Sequence, residues 1–283
     1  MEEGPSDAEN PEFGRAGAGD LVFEKTDGGT VLRRAYARSP LKWVKSFHRA
    51  PAAWVYASSY GGGLVGGDSL RLRIRVGRKA LGFVTTQASM KVYRSESRAG
   101  QSLDARVERR GCLVWMPDPV VCFQGADYEQ RQDFHLERGA GLVCYDALLA
   151  GRRSRNERWK FRRYLGRTRV FREGKPVFYD GLRLDQGDGP LDRKMGRFNL
   201  TAYALVYGDP FRSRLESIFR EECGGPLPRR PSILEYRARV GDEGLVWRWA
   251  GVDPEEVADR VRKKLGFLSE ILGDDPWKRK LGF

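Results

Sequence analysis

The sequence predicts a mainly β protein, strands first, with two α-helices in the C-terminal third. Three observations carry that expectation. Leu70, Leu72, Ile74 and Val76 interleave with Arg71, Arg73 and Arg75, the period of two of a strand with one buried and one cationic face. Further short apolar segments follow at 81–85, 103–107, 113–116, 120–123 and 141–148, divided by Gly, Pro, Asp or charged residues that suit turns. Helical grammar comes only late in the chain.

The first helix opens at Asp209-Pro210, as N-cap and first helical residue, and carries Phe211, Leu215, Ile218 and Phe219 on one face before Gly224-Gly225. The second opens at Asp253-Pro254, with Glu255 and Glu256 in the first turn where the helix dipole favours acids. Val257, Val261, Leu265, Leu268 and Leu272 line it before Gly273. Both stripes are expected to face the core, and the Gly-, Pro- and Arg-rich segment 224–230 between them is expected as a loop. Residues 1–18 lack periodicity and are expected as a mobile tail, leaving 19–283 as a single domain.

Of the 283 residues, 40% are apolar and 31% charged, which suits a globular chain. No apolar run approaches the roughly 18 residues of a spanning helix, and the N-terminal Met1-Glu2-Glu3 is acidic where a secretory leader is basic. The expected location is therefore cytoplasmic. Cys112, Cys122, Cys144 and Cys223 are scattered without a CxxC pair and are expected as reduced thiols. His48 and His135 are the two histidines, and neither neighbours a second ligand in sequence, which argues against hydrolytic zinc chemistry.

The net charge of +13 is concentrated: residues 151–175 hold eleven Arg or Lys against Glu157 and Glu173. Within this stretch Trp159 and Phe161 alternate with Arg158, Lys160 and Arg162, the pattern of a strand with an aromatic inner face. Basic residues interleaved with aromatics also suit nucleic acid, so a basic β-rich nucleic-acid-binding protein is the alternative function, although no RNP-type or zinc-finger motif accompanies them.

Gly61, Gly63 and Gly66 satisfy G-x-G-x-x-G, but the segment after them alternates like a strand, so no helix N-terminus would meet a pyrophosphate. A tight irregular turn is the expectation instead.

The stretch Gly61-Gly62-Gly63-Leu64-Val65-Gly66-Gly67-Asp68, followed by Thr85-Thr86-Gln87-Ala88-Ser89-Met90-Lys91-Val92-Tyr93-Arg94-Ser95, resembles the UreD (also called UreH) family of urease accessory proteins. Trp115-Met116-Pro117, Phe123 with Ala126, Asp146 with Gly151-Arg152, and Glu157 with Phe161 resemble later elements of that family. Met195-Gly196, Tyr207-Gly208 and Gly244-Leu245-Val246 with Arg248 extend the similarity from about Leu21 to Leu272. The chain departs from the pattern at Ser58-Ser59-Tyr60, at Asp118-Pro119 and at Asn156.

The resemblance implies stacked short strands in a β-helix-like body and no catalysis. It implies a scaffold that binds a UreF-type accessory protein, reaches a UreG-type GTPase through it, and docks on apo-urease, with a dimer of heterodimers with UreF as the corresponding assembly. No resident cofactor is implied, only nickel in transit through an internal wet passage. The transit positions are then Asp68, Thr86, Asp146 and Glu157, whose oxygens release the ion more readily than thiolates would. Gly62, Gly63, Gly67, Gln87, Lys91, Tyr93 and Arg94 are left as structural or partner-facing motif residues. Asp146 stands out on its own terms, because it interrupts the apolar run 142–149, where an unpaired charge is costly.

Overall fold

The computed structural model describes residues 16–45, 51–221 and 229–278. Residues 1–15 of the expected tail, His48, Cys223 and most of the 224–230 loop lie outside the described residues. Strand β1 (Ala16–Thr26) opens inside the stretch expected as a tail. It forms a hairpin with β2 (Gly29–Arg38), and β3 (Leu41–Lys45) pairs antiparallel with β4 (Ala53–Ser59). The chain then winds through β5 (Ser69–Val76), β6 (Leu81–Thr86), β7 (Met90–Val92), β8 (Ala99–Val107), β9 (Cys112–Met116), β10 (Val120–Cys122), β11 (Asp127–Leu136), β12 (Gly141–Leu149) and β13 (Arg163–Arg172). Strands β14 (Lys175–Asp185), β15 (Leu200–Gly208), β16 (Ile233–Val240) and β17 (Gly244–Gly251) complete the sheets.

Successive strands of the winding segment alternate between two sheets. In the first sheet β1, β5, β8, β11 and β13 pair in parallel, with β2 and β14 closing its edges antiparallel. In the second, β4, β6, β9 and β12 pair in parallel, while β15, β17 and β16 extend it antiparallel. The short β7 and β10 form a third parallel face beside β12. Each turn of chain thus contributes one strand to each sheet, which is the β-helix-like stack that was expected.

Burial follows from the layering. Strand β5 alternates as its sequence does, with Leu70, Leu72, Ile74 and Val76 buried and its arginines outside. The second sheet is covered on both faces, by the first sheet on one side and by helices on the other, so β9 and β12 read as continuous apolar runs. Leu142, Cys144 and Leu148 of β12 belong to the cluster between the sheets. Val143, Tyr145 and Ala147 belong to the cluster under the helices with Trp247, Val257 and Leu268.

Four helices lie after residue 190: α1 (Leu191–Lys194), α2 (Arg212–Glu221), α3 (Pro254–Lys264) and α4 (Leu268–Leu272). The expected helix at Asp209-Pro210 begins as a 3₁₀ turn over Asp209–Phe211, with Gly208 rather than Asp209 at the N-cap. The expected helix at Asp253 does begin with a side-chain cap, Glu255 N donating to Asp253 Oδ1 at 3.0 Å. It is interrupted after Lys264, where the chain turns so that both Leu265 and Leu268 stay buried, and α4 ends at Gly273 with φ of 79°. Trp159 and Phe161 are core residues as expected, but they lie on a loop rather than a strand. Trp159 has φ of 53°, a left-handed conformation that no strand accommodates. Its indole instead donates to Phe198 O at 2.8 Å.

The basic stretch is largely consumed inside the fold. Asp127, at 1% side-chain exposure, is held by Arg98, Arg162 and Arg163. Arg152 pairs with Glu157, Arg169 with Asp133, Arg172 with Glu243, and Arg158 donates to Asn199 and to the Phe198 carbonyl. Cys112, Cys122 and Cys144 are free and buried.

Burial alone would raise the Asp127 carboxyl, yet hydrogen bonds from Arg163 and Arg162 hold it below the usual carboxylate range. Its contribution to stability is therefore present above about pH 4 and lost as pH falls through its folded value. Asp127→Asn is expected to cost about 3 kcal/mol at pH 7 and to flatten the loss of stability between about pH 5 and 3, measured by urea denaturation.

Candidate functional site

The two glycine and TTQ-type motifs meet in one loop cluster. Gly61, Gly62 and Gly67 take φ of 82°, 73° and 83°, which side chains resist. Leu64 N donates to Lys91 O and Tyr93 N to Leu64 O, both at 2.8 Å, and Gly67 N donates to Arg98 O at 3.0 Å. Gly63 lies so close to the Lys91 carbonyl that a Cβ would collide with it. Asp68 closes the turn by accepting from Val65 N at 3.0 Å, and Gln87 N donates to Ala57 O at 2.8 Å.

Beside this cluster, Tyr93 stands edge-on to Phe123 with centroids 5.2 Å apart, and the Arg94 side chain packs under Gly125. The Arg152 guanidinium covers the other side of Phe123 at 3.9 Å and pairs with Glu157, holding that carboxyl below its ordinary range. Asp68 and Glu157 thus fasten loops here.

Asp146 points from β12 into the space between the sheets. Pairing register places Gln132, Thr168 and Asp180 on one level of the first sheet. It places Asp146, Tyr203 and Arg248 on one level of the second. The two rows are joined rung by rung: Gln132 Nε2 donates to Asp146 Oδ2 at 3.0 Å, Tyr203 Oη to Thr168 Oγ1 at 2.7 Å, and Arg248 pairs with Asp180. Gln130 Nε2 also donates to Asp146 Oδ2, at 2.6 Å.

The result is a polar layer between the two sheets, with Gln101 and Gln130 on the neighbouring level. Burial, then the charge of Asp180, pushes the Asp146 carboxyl up to about 7, against hydrogen bonds from Ala147, Gln130 and Gln132. Gln132 Oε1 is buried without a hydrogen-bond partner, an exposed lone pair in a dry place.

Cavities flank this layer. One of about 90 Å³ lies toward β6 and is lined by Thr86, Asp118, Gln101 and Gln130 among apolar residues. Another of about 110 Å³ is lined by Asp146, Thr168, Asp180, Tyr203 and Arg248. The Gln130–Asp146 hydrogen bond spans the wall between them. A third, of about 220 Å³ under α3, shares Ser89, Pro117 and Asp118 with the first. Thr86 Oγ1 donates to Asp118 Oδ2 at 2.9 Å at that shared wall.

Of the four expected transit positions, Thr86 lines the 90 Å³ cavity and Asp146 the 110 Å³ one, and Asp68 and Glu157 line none of these three. Sequence reasoning missed Gln130, Gln132, Thr168, Asp180 and Tyr203, and named Arg248 only within the family pattern. Gln130 and Gln132 carried a usable signal, since they share the inward phase of Tyr128 and Phe134 on β11. Among the described residues no three of His, Cys, Asp and Glu gather closely enough to hold a metal. No helix among them is long and apolar enough to cross a membrane.

A family model described as UreD urease accessory protein matches residues 15–281. A protein from Sorangium cellulosum strain So ce56 named urease accessory protein UreD is 46% identical over 267 residues, covering 94% of this chain and 85% of that protein. A UreD-named protein of Anaeromyxobacter sp. strain Fw109-5 is 37% identical, covering 95% and 91%. Urease accessory protein D of Oryza sativa subsp. indica is 32% identical, covering 93% and 95%.

Two outcomes follow from the geometry. At Gly66 an added Cβ would overlap the Ser95 side chain and crowd the Ser97 carbonyl at 2.7 Å, so Gly66→Ala lowers the melting temperature and Ser95→Ala restores part of it. Asp146, whose folded carboxyl lies above its ordinary value, withdraws stability as pH rises from about 4 to about 7. Asp146→Asn keeps shape and hydrogen bonding, so it melts above the parent at pH 8, by up to about 4 kcal/mol, with the difference vanishing near pH 4.

Proposed function

The chain belongs to the UreD family of urease accessory proteins, and from that premise we propose that it is a non-catalytic scaffold through which nickel passes on its way into apo-urease. In this reading a UreF-type protein binds the chain, a UreG-type GTPase joins through UreF, and the assembly docks on apo-urease in the cytoplasm. The observation that carries the passage is the acidic layer at Asp146 with its adjoining cavities. A carboxylate buried between two cavities, beside a carbonyl oxygen with no donor, is costly unless something cationic or aqueous visits it.

The chemistry of the layer suits transit. Its donors are oxygens, from Asp146, Asp180, Gln132, Thr168 and Tyr203, and oxygen ligands hold a borderline divalent ion less tenaciously than thiolate or imidazole sets. With the Asp146 carboxyl near 7, proton loss at neutral pH costs little. An arriving cation takes the place of that proton, and reprotonation helps the ion leave. Thr86 and Asp118 stand where the 90 Å³ and 220 Å³ cavities adjoin, and form the outer station of the same path. Asp68, Glu157 and the glycine motif residues act by shaping the loop cluster.

The nucleic-acid alternative is weakened, because Arg152, Arg162, Arg163, Arg169 and Arg172 of the basic stretch pair with Glu157, Asp127, Asp133 and Glu243 within the fold.

Co-expression with cognate UreF, UreG and apo-urease tests the proposal by pull-down and by nickel per urease. The parent chain is expected to co-purify and raise nickel content. Asp146→Asn is expected to co-purify equally while lowering nickel severalfold; unchanged nickel would remove Asp146 from the path, and a folded chain that captures neither UreF nor urease would overturn the scaffold.

A further inference from the structure

Arg248 occupies an unusual place. It comes from β17 of the second sheet, on the inward phase of Val246. Its guanidinium pairs with Asp180 of β14 in the first sheet and lies 5.9 Å from the Tyr203 ring centroid. Behind it lies the 110 Å³ cavity with Asp146, so the Arg248–Asp180 pair stands across the mouth. Asp180 is 11% exposed while Arg248 is 44% exposed. The arginine can therefore leave for water without unpacking the core, whereas the carboxylate cannot.

We propose that Arg248 is a tethered counter-cation: it fills, with the chain's own positive charge, the acidic mouth formed by Asp180 and Asp146, and a divalent cation passes only by displacing it. The proposal rests on the transit reading above and adds its gate. Three features support it beyond the ion pair itself. Asp146 and Asp180 act on each other electrostatically, so the cavity is negative whenever both are ionised and the arginine is away. Gln132 Oε1, in a side chain 1% exposed, has no donor and offers an oxygen beside Asp146 that an arginine paired to Asp180 leaves unused. Asp180 is also the one partner that Arg248 ion-pairs with among the described residues, so no second acid anchors it elsewhere.

The gate has a defined chemistry. A hydrated divalent ion carries twice the charge of a guanidinium and can draw on the Asp146 and Asp180 carboxylates that line the same cavity. Arg248 reaches Asp180 alone. Monovalent ions lack that advantage and leave the arginine in place. The mouth thus discriminates by charge, and a weakly held ion leaves when the guanidinium swings back.

The test measures Ni²⁺ binding by isothermal titration at pH 7.5 on the full chain, using nickel alone as probe. Arg248→Met is expected to bind Ni²⁺ about tenfold tighter than the parent, since the competing cation is gone. Adding Asp146→Asn should abolish the gain. Equal affinity in parent and a folded Arg248→Met, or no binding by either, overturns the gate. Should Arg248→Met fail to fold, Arg248→Lys keeps the charge with a weaker single-point contact and should release Ni²⁺ to a chelator more slowly in stopped flow; an unchanged rate would overturn the gate equally. Loss of nickel in urease with Asp146→Asn, together with no effect at Arg248, would leave the passage standing and remove only its gate.

Discussion

Unshifted parallel pairing from β5 through β13 is the constraint on which the interior chemistry depends, because it stacks chosen side chains on common levels. A parallel ladder has no hairpin to set its register, so the register must come from what the inward positions bury. Here the level of Ile74, Ala105, Phe134 and Val170 is apolar, whereas the level that starts at Leu72 and Leu103 turns polar at Gln132, Thr168 and Asp180. The level of Gln132, Thr168 and Asp180 faces that of Asp146, Tyr203 and Arg248, and each member meets a partner of matching polarity. The apolar levels carry the hydrophobic stabilisation of the coil, and the polar level is kept because nearly all its donors and acceptors are satisfied internally.

The glycine loop and the TTQ-type segment are two halves of one object. Backbone hydrogen bonds between Leu64 and Lys91 and between Leu64 and Tyr93 bring them together, and Gly63 and Gly66 permit the close approach. That accounts physically for a spacing that looks arbitrary along the chain. It also explains why the fingerprint of a phosphate loop occurs without a helix: the positive-φ glycines serve a fold-closing knot followed by strand β5.

Much of the fold was legible because period-two patterning reports the phase of each strand directly, as β5 illustrates. The long apolar run of β12 announced a strand buried on both faces without saying what covered it. The α3–α4 break was hidden, since Val261, Leu265 and Leu268 continue a helical stripe even though the backbone turns between them. Trp159 misled for a related reason: alternation of aromatic and basic residues survives on an irregular loop whose side chains point the same two ways. At the site, Asp146 was conspicuous as a charge in an apolar run. Asp180 and Arg248 were not, because nothing in a single sequence says that β14 and β17 face each other, and both look like ordinary surface residues of amphipathic strands.

The two-sided burial of β12 gives neighbouring residues separate addresses. Tyr145 belongs to the compartment under the helices and Asp146 to the compartment between the sheets. A slip of one residue in this strand would exchange them, driving a carboxylate against Trp247 and Trp249 while the glutamines of β11 lost their acceptor. Misthreaded coils are thereby penalised at the polar layer itself. The acid therefore serves as an assembly check on the coil, and a chain that has wound incorrectly is also one without that layer.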